Sequence, residues 1–271
     1  MDLNIKKMVN IQHKINELLT NNKALFLALD QGLEHGPKDF NLTTINPEYV
    51  FNLARDEKFN AIILQKGLAI RYHENYRYKI PLILKLNGKT GLGHREPYSP
   101  QICSVKKAVK LGADAVGYTI YFGSPYEPEM FKEFSKIEEE AHDYGLPVVL
   151  WAYPRGSGVE ESSTDTLAYA ARASLELGAD FIKIKYNGDS EGYKWIVKSS
   201  GNSKLFAAGG EKKDVKDFLS DVYNVMKAGA SGVAIGRNVW QSEHPLKISD
   251  AVKAIVFGNK TVEQALKLIK K

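Results

Sequence analysis

Residues 176–182, ELGADFI, read as the end of a helix, a glycine that stops it and the opening of a strand. The phrase recurs as KLGADAV at 110–116 and KAGASGV at 227–233. Three copies of helix end, glycine and strand start describe a chain in which helices and strands alternate, as they do around a parallel sheet. Working outward, strands are expected at 24–30, 60–65, 81–87, 113–120, 146–153, 179–186, 204–208 and 232–236, with helices between most of them. Ahead of the first strand, residues 3–19 space Leu3, Met8, Ile11, Ile15, Leu18 and Leu19 as one helical face, suited to plugging the bottom of a sheet or barrel. Eight such units in about 250 residues is the size of a (β/α)8 TIM barrel. A doubly wound sheet is the rival, but no dinucleotide fingerprint follows the first strand. A single α/β barrel domain over residues 1–271 is therefore expected.

The composition, 44% hydrophobic and 25% charged, is that of a globular chain able to bury a full core. The net charge of +5 is mild and dispersed, which argues against nucleic acid and suits a small anionic ligand. No run has the length of a membrane span, and the N-terminus lacks the charged-then-apolar order of a signal peptide. Cys103, the only cysteine, forms no internal disulfide and fits a reducing, cytoplasmic setting.

The period-two reading of the strands gathers the chemistry. In ADFIKIKY, 179–186, Phe181, Lys183 and Lys185 share one face, and Ile182 and Ile184 the other. ALFLALD ends on Asp30 opposite its leucines, PLILKLN sets Lys85 and Asn87 opposite its leucines, and LPVVLWAY aligns Val149, Trp151 and Tyr153. Turning the leucine and isoleucine faces toward the helices sends Asp30, Lys85, Asn87, Trp151, Tyr153, Lys183 and Lys185 inside. Lysines at i and i+2 stand about 6–7 Å apart, so each disfavours protonation of the other and one is expected to have a depressed pKa. A neutral amine can attack a carbonyl and form a Schiff base, although from spacing alone binding an anion or an acidic neighbour is the commoner use of such a pair. Tyr153 and Asp30 would supply a proton donor and acceptor. The alternatives are a barrel-filling aromatic and a cap.

Gly209-Gly210 follows the seventh strand and Gly236-Arg237 the eighth. Those are the two places where this architecture cradles phosphate on backbone N–H groups, and Arg237 adds a guanidinium. The segment QGLEHGPKDF, 31–40, is too long and polar for a plain turn and is expected to be a functional loop. His35 and His94 lack spaced partners, so no metal site is expected.

The stretches LALDQGLEHGPKDF, PLILKLNGKT, GADAVGYTIY, WAYPRG, IKIKY and GRNVWQ, in order from residue 27 to residue 241, resemble the archaeal-type class I fructose-1,6-bisphosphate aldolases, a family with bacterial members. The resemblance implies a homo-oligomeric barrel, often decameric, that needs no metal or other cofactor. Its substrate would be fructose 1,6-bisphosphate, a phosphorylated sugar cleaved reversibly to dihydroxyacetone phosphate and glyceraldehyde 3-phosphate. By motif, Lys183 would form the Schiff base, Tyr153 would donate and accept the proton and Asp30 would assist around the imine. Trp151 would line the site, Gly209, Gly210, Gly236 and Arg237 would hold one phosphate, and Arg155 and the His35-Gly36 loop are candidates for the other, with Lys185 beside them. Related barrels use a similar lysine and tyrosine in a transaldolase step that makes an aminodideoxyheptulosonate. A non-catalytic sugar-phosphate-binding barrel is the alternative of a different class.

Overall fold

A computed structural model describes residues 11–93 and 96–270. Eight parallel strands close into a barrel in chain order: β1 Ala24–Ala28, β2 Ala61–Gln65, β3 Leu82–Lys85, β4 Ala115–Phe122, β5 Val148–Pro154, β6 Phe181–Lys185, β7 Lys204–Ala208 and β8 Gly232–Ile235. Closure is made by β1 lying beside β8, with Leu25 opposite Val233. The eight-fold reading of the alternating pattern is therefore the observed topology.

The repeated GAD phrase has a structural cause. Asp180 Oδ2 accepts from the Val148 backbone N–H at 2.8 Å, and Asp114 Oδ2 accepts from that of Leu82 at 2.9 Å. Each aspartate thus ties the start of its own strand to the start of the strand before it, adding a side-chain bond to the backbone bonds from Asp180 N to Val148 O at 3.1 Å and from Asp114 N to Leu82 O at 2.8 Å. His142 strengthens the first of these ties, lying 3.0 Å from Asp180 and 2.8 Å from Glu138. Burial alone would lower the imidazole pKa, but bonds to the two carboxylates outweigh it and raise it to about 9. Because the folded value lies above the unfolded one, that stabilisation is full below about pH 6.5 and fades as pH rises through 9.

The leucine faces of the strands pack outward against the helices, and the other faces fill the lumen. At the base the filling is apolar. Phe26 stacks on Phe206 at 4.7 Å between ring centroids and meets Phe181 edge-on at 6.2 Å. Residues 11–17 are helical and bring Ile11 and Ile15, with Leu18, onto this cluster, so the expected plug is observed in part. Leu3 and Met8 lie outside the described residues. Such burial, at about 25 cal/mol per Å² of apolar surface, makes the base a rigid floor for the polar groups above it.

The segment expected to be a functional loop is partly helical instead. QGLEHGPKDF contains an α-helical turn, Gly32–His35, and a 3-10 turn, Gly36–Asp39, in which Pro37 occupies a first-turn position where its missing N–H costs nothing. The aromatic-rich stretch after β2 is a helix, Lys66–Tyr72, followed by a 3-10 turn, His73–Tyr76. Among the described residues, no helix is long and apolar enough to cross a membrane.

Candidate active site

The C-terminal mouth of the barrel is a cleft whose walls carry six cationic side chains, Lys85, Lys89, Arg155, Lys183, Lys185 and Arg237, against two carboxylates, Asp30 and Glu34. That imbalance suits a polyanion.

At its floor Lys183 projects from the middle of β6, 6% exposed, while its chain neighbours Ile182 and Ile184 pack outward. Its Nζ stands 5.0 Å from the Trp151 ring centroid, on the strand residue directly opposite in register. Burial lowers the amine pKa to about 8, with Asp30 pulling upward and Lys85 pushing further down. The expected source of repulsion, Lys185, is not the operative one. One pleat higher, it reaches the rim, where its side chain is 44% exposed and lies 4.0 Å from Glu161. The second cation at the floor comes from across the barrel: Lys85 Nζ is 5.2 Å from the same indole and 3.2 Å from Asp30 Oδ2.

Asp30 lies just past the end of β1 and is 7% exposed. Burial by itself would raise its pKa, but the charges of Lys85 and Lys183 overcome that and hold it below the ordinary carboxylate value. Tyr153, on β5 two residues beyond Trp151, moves the other way. Burial chiefly, and the nearby Asp30 charge, push its phenol pKa well up, so it stays protonated at neutral pH. A buried amine with a depressed pKa, a fixed anion and a neutral phenol therefore share one site, the combination needed for imine chemistry with proton transfer.

Trp151 is held by a position that the sequence reading passed over. A Cβ on Gly117 of β4 would fall on the six-membered edge of the indole, so only glycine lets the ring lie flat against β4. Gly117→Ala is expected to push the indole toward the two amines and lower kcat/KM by about 10- to 100-fold, with a shifted tryptophan emission. Full activity with unchanged emission would dismiss the indole as a spacer.

The turns after β7 and β8, where a phosphate cradle is expected, lie side by side in the wall of the cleft. Asn238 ties them together, donating to Gly209 O at 2.8 Å and to Glu211 O at 2.9 Å while accepting from Lys213 N. Arg237 donates to Gly210 O at 3.0 Å. A Cβ at Gly236 would stand 2.5 Å from Ala28 O, and Gly210 holds a φ of +63°, so both glycines answer to real constraints.

The candidates for a second phosphate separate. Arg155 lies across the cleft with its guanidinium 5.1 Å from the Tyr121 ring, and Lys89 approaches the same ring at 5.4 Å. Glu34 is 3.5 Å from Lys89 and 3.9 Å from Arg155. His35 is instead on the Arg237 side, 2.6 Å from Asp39, whose other oxygen is 3.6 Å from Arg237. Gly36 links the two short helical turns with φ of +67° and does not line the cleft. Lys85, Lys89, Glu34 and Tyr121 are the site residues that sequence reasoning did not select. Lys85 was legible as inward-facing, whereas the others depend on how loops fold over the mouth. Among the described residues, no group of three His, Cys, Asp or Glu side chains is placed to hold a metal ion, and His94 lies outside the described residues.

The model of the DeoC/LacD family aldolases matches residues 24–242. The class 1 fructose-bisphosphate aldolase of Thermoproteus tenax is 46% identical over 264 residues, 96% of this chain and 99% of that protein. That of Halobacterium salinarum is 45% identical, covering 90% of this chain and 94% of its own. A solved archaeal fructose-1,6-bisphosphate aldolase, with its catalytic lysine covalently bound to the carbinolamine intermediate of the substrate, superposes with a TM-score of 0.87. It is 45% identical and covers 92% of this chain and 100% of its own.

Proposed function

Since the chain belongs to the DeoC/LacD aldolases, and among them to the archaeal-type class I fructose-bisphosphate aldolases, we propose that Lys183 is its Schiff-base residue. The reaction is the reversible cleavage of fructose 1,6-bisphosphate to dihydroxyacetone phosphate and glyceraldehyde 3-phosphate.

The unprotonated Lys183 amine attacks the C2 carbonyl, and the carbinolamine loses its hydroxyl as water, taking a proton from Tyr153. The resulting iminium draws in the electrons of the C3–C4 bond. As that bond breaks, the C4 hydroxyl becomes the aldehyde and returns its proton to the Tyr153 phenolate. The enamine left on Lys183 takes a proton at C3 from Tyr153, and hydrolysis releases dihydroxyacetone phosphate. Asp30, anionic throughout, offsets the iminium charge and accepts from substrate hydroxyls. The cradle at Gly209, Gly210, Gly236 and Arg237 holds one phosphate; Arg155, with Lys185 near it, receives the other at the opposite wall. We read the enzyme as a cytoplasmic homo-oligomer.

One observation carries this assignment: among the described residues, the only deeply buried amine in the cleft free of an ion pair, with its pKa lowered to about 8, stands at the strand centre near Trp151 and Asp30. Borohydride added with dihydroxyacetone phosphate is expected to fix a reduced adduct on Lys183, read by peptide mass. Label found only on Lys85 or Lys185 would move the assignment elsewhere.

A further inference from the structure

Two amines approach the Trp151 indole, from strands three places apart round the barrel, yet only one of them is paired. Lys85 Nζ lies 3.2 Å from Asp30 Oδ2, whereas Lys183, at a similar distance from the ring, makes no ion pair or hydrogen bond among the described residues. Asp30 is the only carboxylate whose charge weighs appreciably on Lys183, so the two lysines compete for a single anion. We infer that Lys85 is a positioning residue that occupies Asp30 and thereby keeps the Lys183 amine free to attack the carbonyl. This rests on Lys183 being the Schiff-base residue.

The neighbours of Lys183 allow no other group to do this work. Past β1 comes Asp30, from β3 Lys85, and from β5 Trp151 and Tyr153, while Lys185 of its own strand is turned to the rim. The remaining strands present Ile63, Gly117, Phe206 and Ala234, none of which titrates, and β4 adds Tyr121 in register with Tyr153, a phenol that burial and the Glu34 and Asp30 charges keep protonated. With Lys85 gone, a buried carboxylate would be left with one cation in reach. Desolvation makes an unpaired buried charge costly, so Asp30 would recruit the protonated form of Lys183. The nucleophile would then be locked as an ammonium ion at the pH where it should be free.

The test compares Lys85→Met and Lys85→Arg with the unaltered enzyme, following the initial rate of borohydride-trapped adduct with dihydroxyacetone phosphate from pH 6 to 10. For Lys85→Met the half-maximal pH is expected to rise by at least about one unit. Trapping at pH 7 then falls tenfold or more, while the rate at pH 10 recovers to within about twofold. Lys85→Arg, which keeps the cation on Asp30, is expected to hold the original midpoint. Should methionine prevent folding, Lys85→Gln removes the charge while retaining a donor and must give the same upward shift. An unmoved midpoint, an equal loss at every pH, or an arginine variant shifted as far as methionine would overturn the role of Lys85. Failure of the underlying reading looks different, because the unaltered enzyme would then carry no label on Lys183 at any pH.

Discussion

Lys183→Met is expected to abolish turnover and to make the barrel more stable at neutral pH. The amine sits 6% exposed in the lumen, and the site disfavours its charged form enough to bring its pKa from the ordinary lysine range to about 8. The folded value is below the unfolded one, so the cost is full below pH 8, where both states hold the proton. It disappears as pH rises toward 10.5, where neither does. A shift of this size corresponds to about 3 kcal/mol at pH 7, which methionine, of similar length and without charge, would recover as a melting temperature higher by about 5 °C. Turnover should fall at least about 10⁴-fold because, among the described residues, no other amine in the cleft is both buried and unpaired. The same reasoning gives the unaltered enzyme an acid limb: imine formation should slow about tenfold per pH unit below 8, leaving roughly one per cent of the amine free at pH 6. Melting curves at pH 7 and 10, beside kinetics, decide the matter. A methionine variant that melts lower at pH 7, or that still turns over at a hundredth of the normal rate, would mean that Lys183 is structural.

Much of this site can be read from strand periodicity, because two residues per repeat fix which side chains face the lumen before any distance is known. Lys183, Trp151, Tyr153 and Lys85 all fall on the side opposite the leucines, and the barrel puts them there. What periodicity does not contain is height and azimuth. Lys185 shares a face with Lys183 but climbs to the rim, while Lys85, far away in sequence, reaches the floor because β3 lies across the closed ring. The repulsion expected of the nearer lysine is exerted by the more distant one. Gly117 escapes for a related reason: its need for a missing side chain is set by an indole on the neighbouring strand, and one sequence position says nothing of that neighbour. The turns at 32–39 were hidden by their glycines and proline, residues that mark loops in general but here fit the first turn and the link between two very short helices. Glu34 and Asp39 thereby come to face cations on opposite walls, Glu34 with Lys89 and Arg155, Asp39 with Arg237.

Tyr153→Phe is expected to separate the covalent step from the proton transfers that surround it. The phenol is a proton donor near Lys183 that the site keeps neutral, since burial and the Asp30 charge both oppose its ionisation. Phenylalanine preserves the ring and its packing beside Trp151 but carries no proton. Formation of the adduct needs chiefly the Lys183 amine and an acid for the departing hydroxyl, which solvent can supply slowly, so borohydride should still label Lys183 with dihydroxyacetone phosphate. Protonation of the enamine carbon has no such substitute, because proton transfer to carbon requires a donor held at a defined point. Turnover should therefore drop by about 10²- to 10⁴-fold, and exchange of the dihydroxyacetone phosphate C3 proton with deuterated solvent should drop by a similar factor. The Asp30 carboxylate cannot take over, because the charges of Lys85 and Lys183 hold its pKa low and it has no proton to give near neutral pH. Retained exchange would remove Tyr153 from the proton path. Loss of labelling along with turnover would instead make the hydroxyl a requirement for imine formation itself.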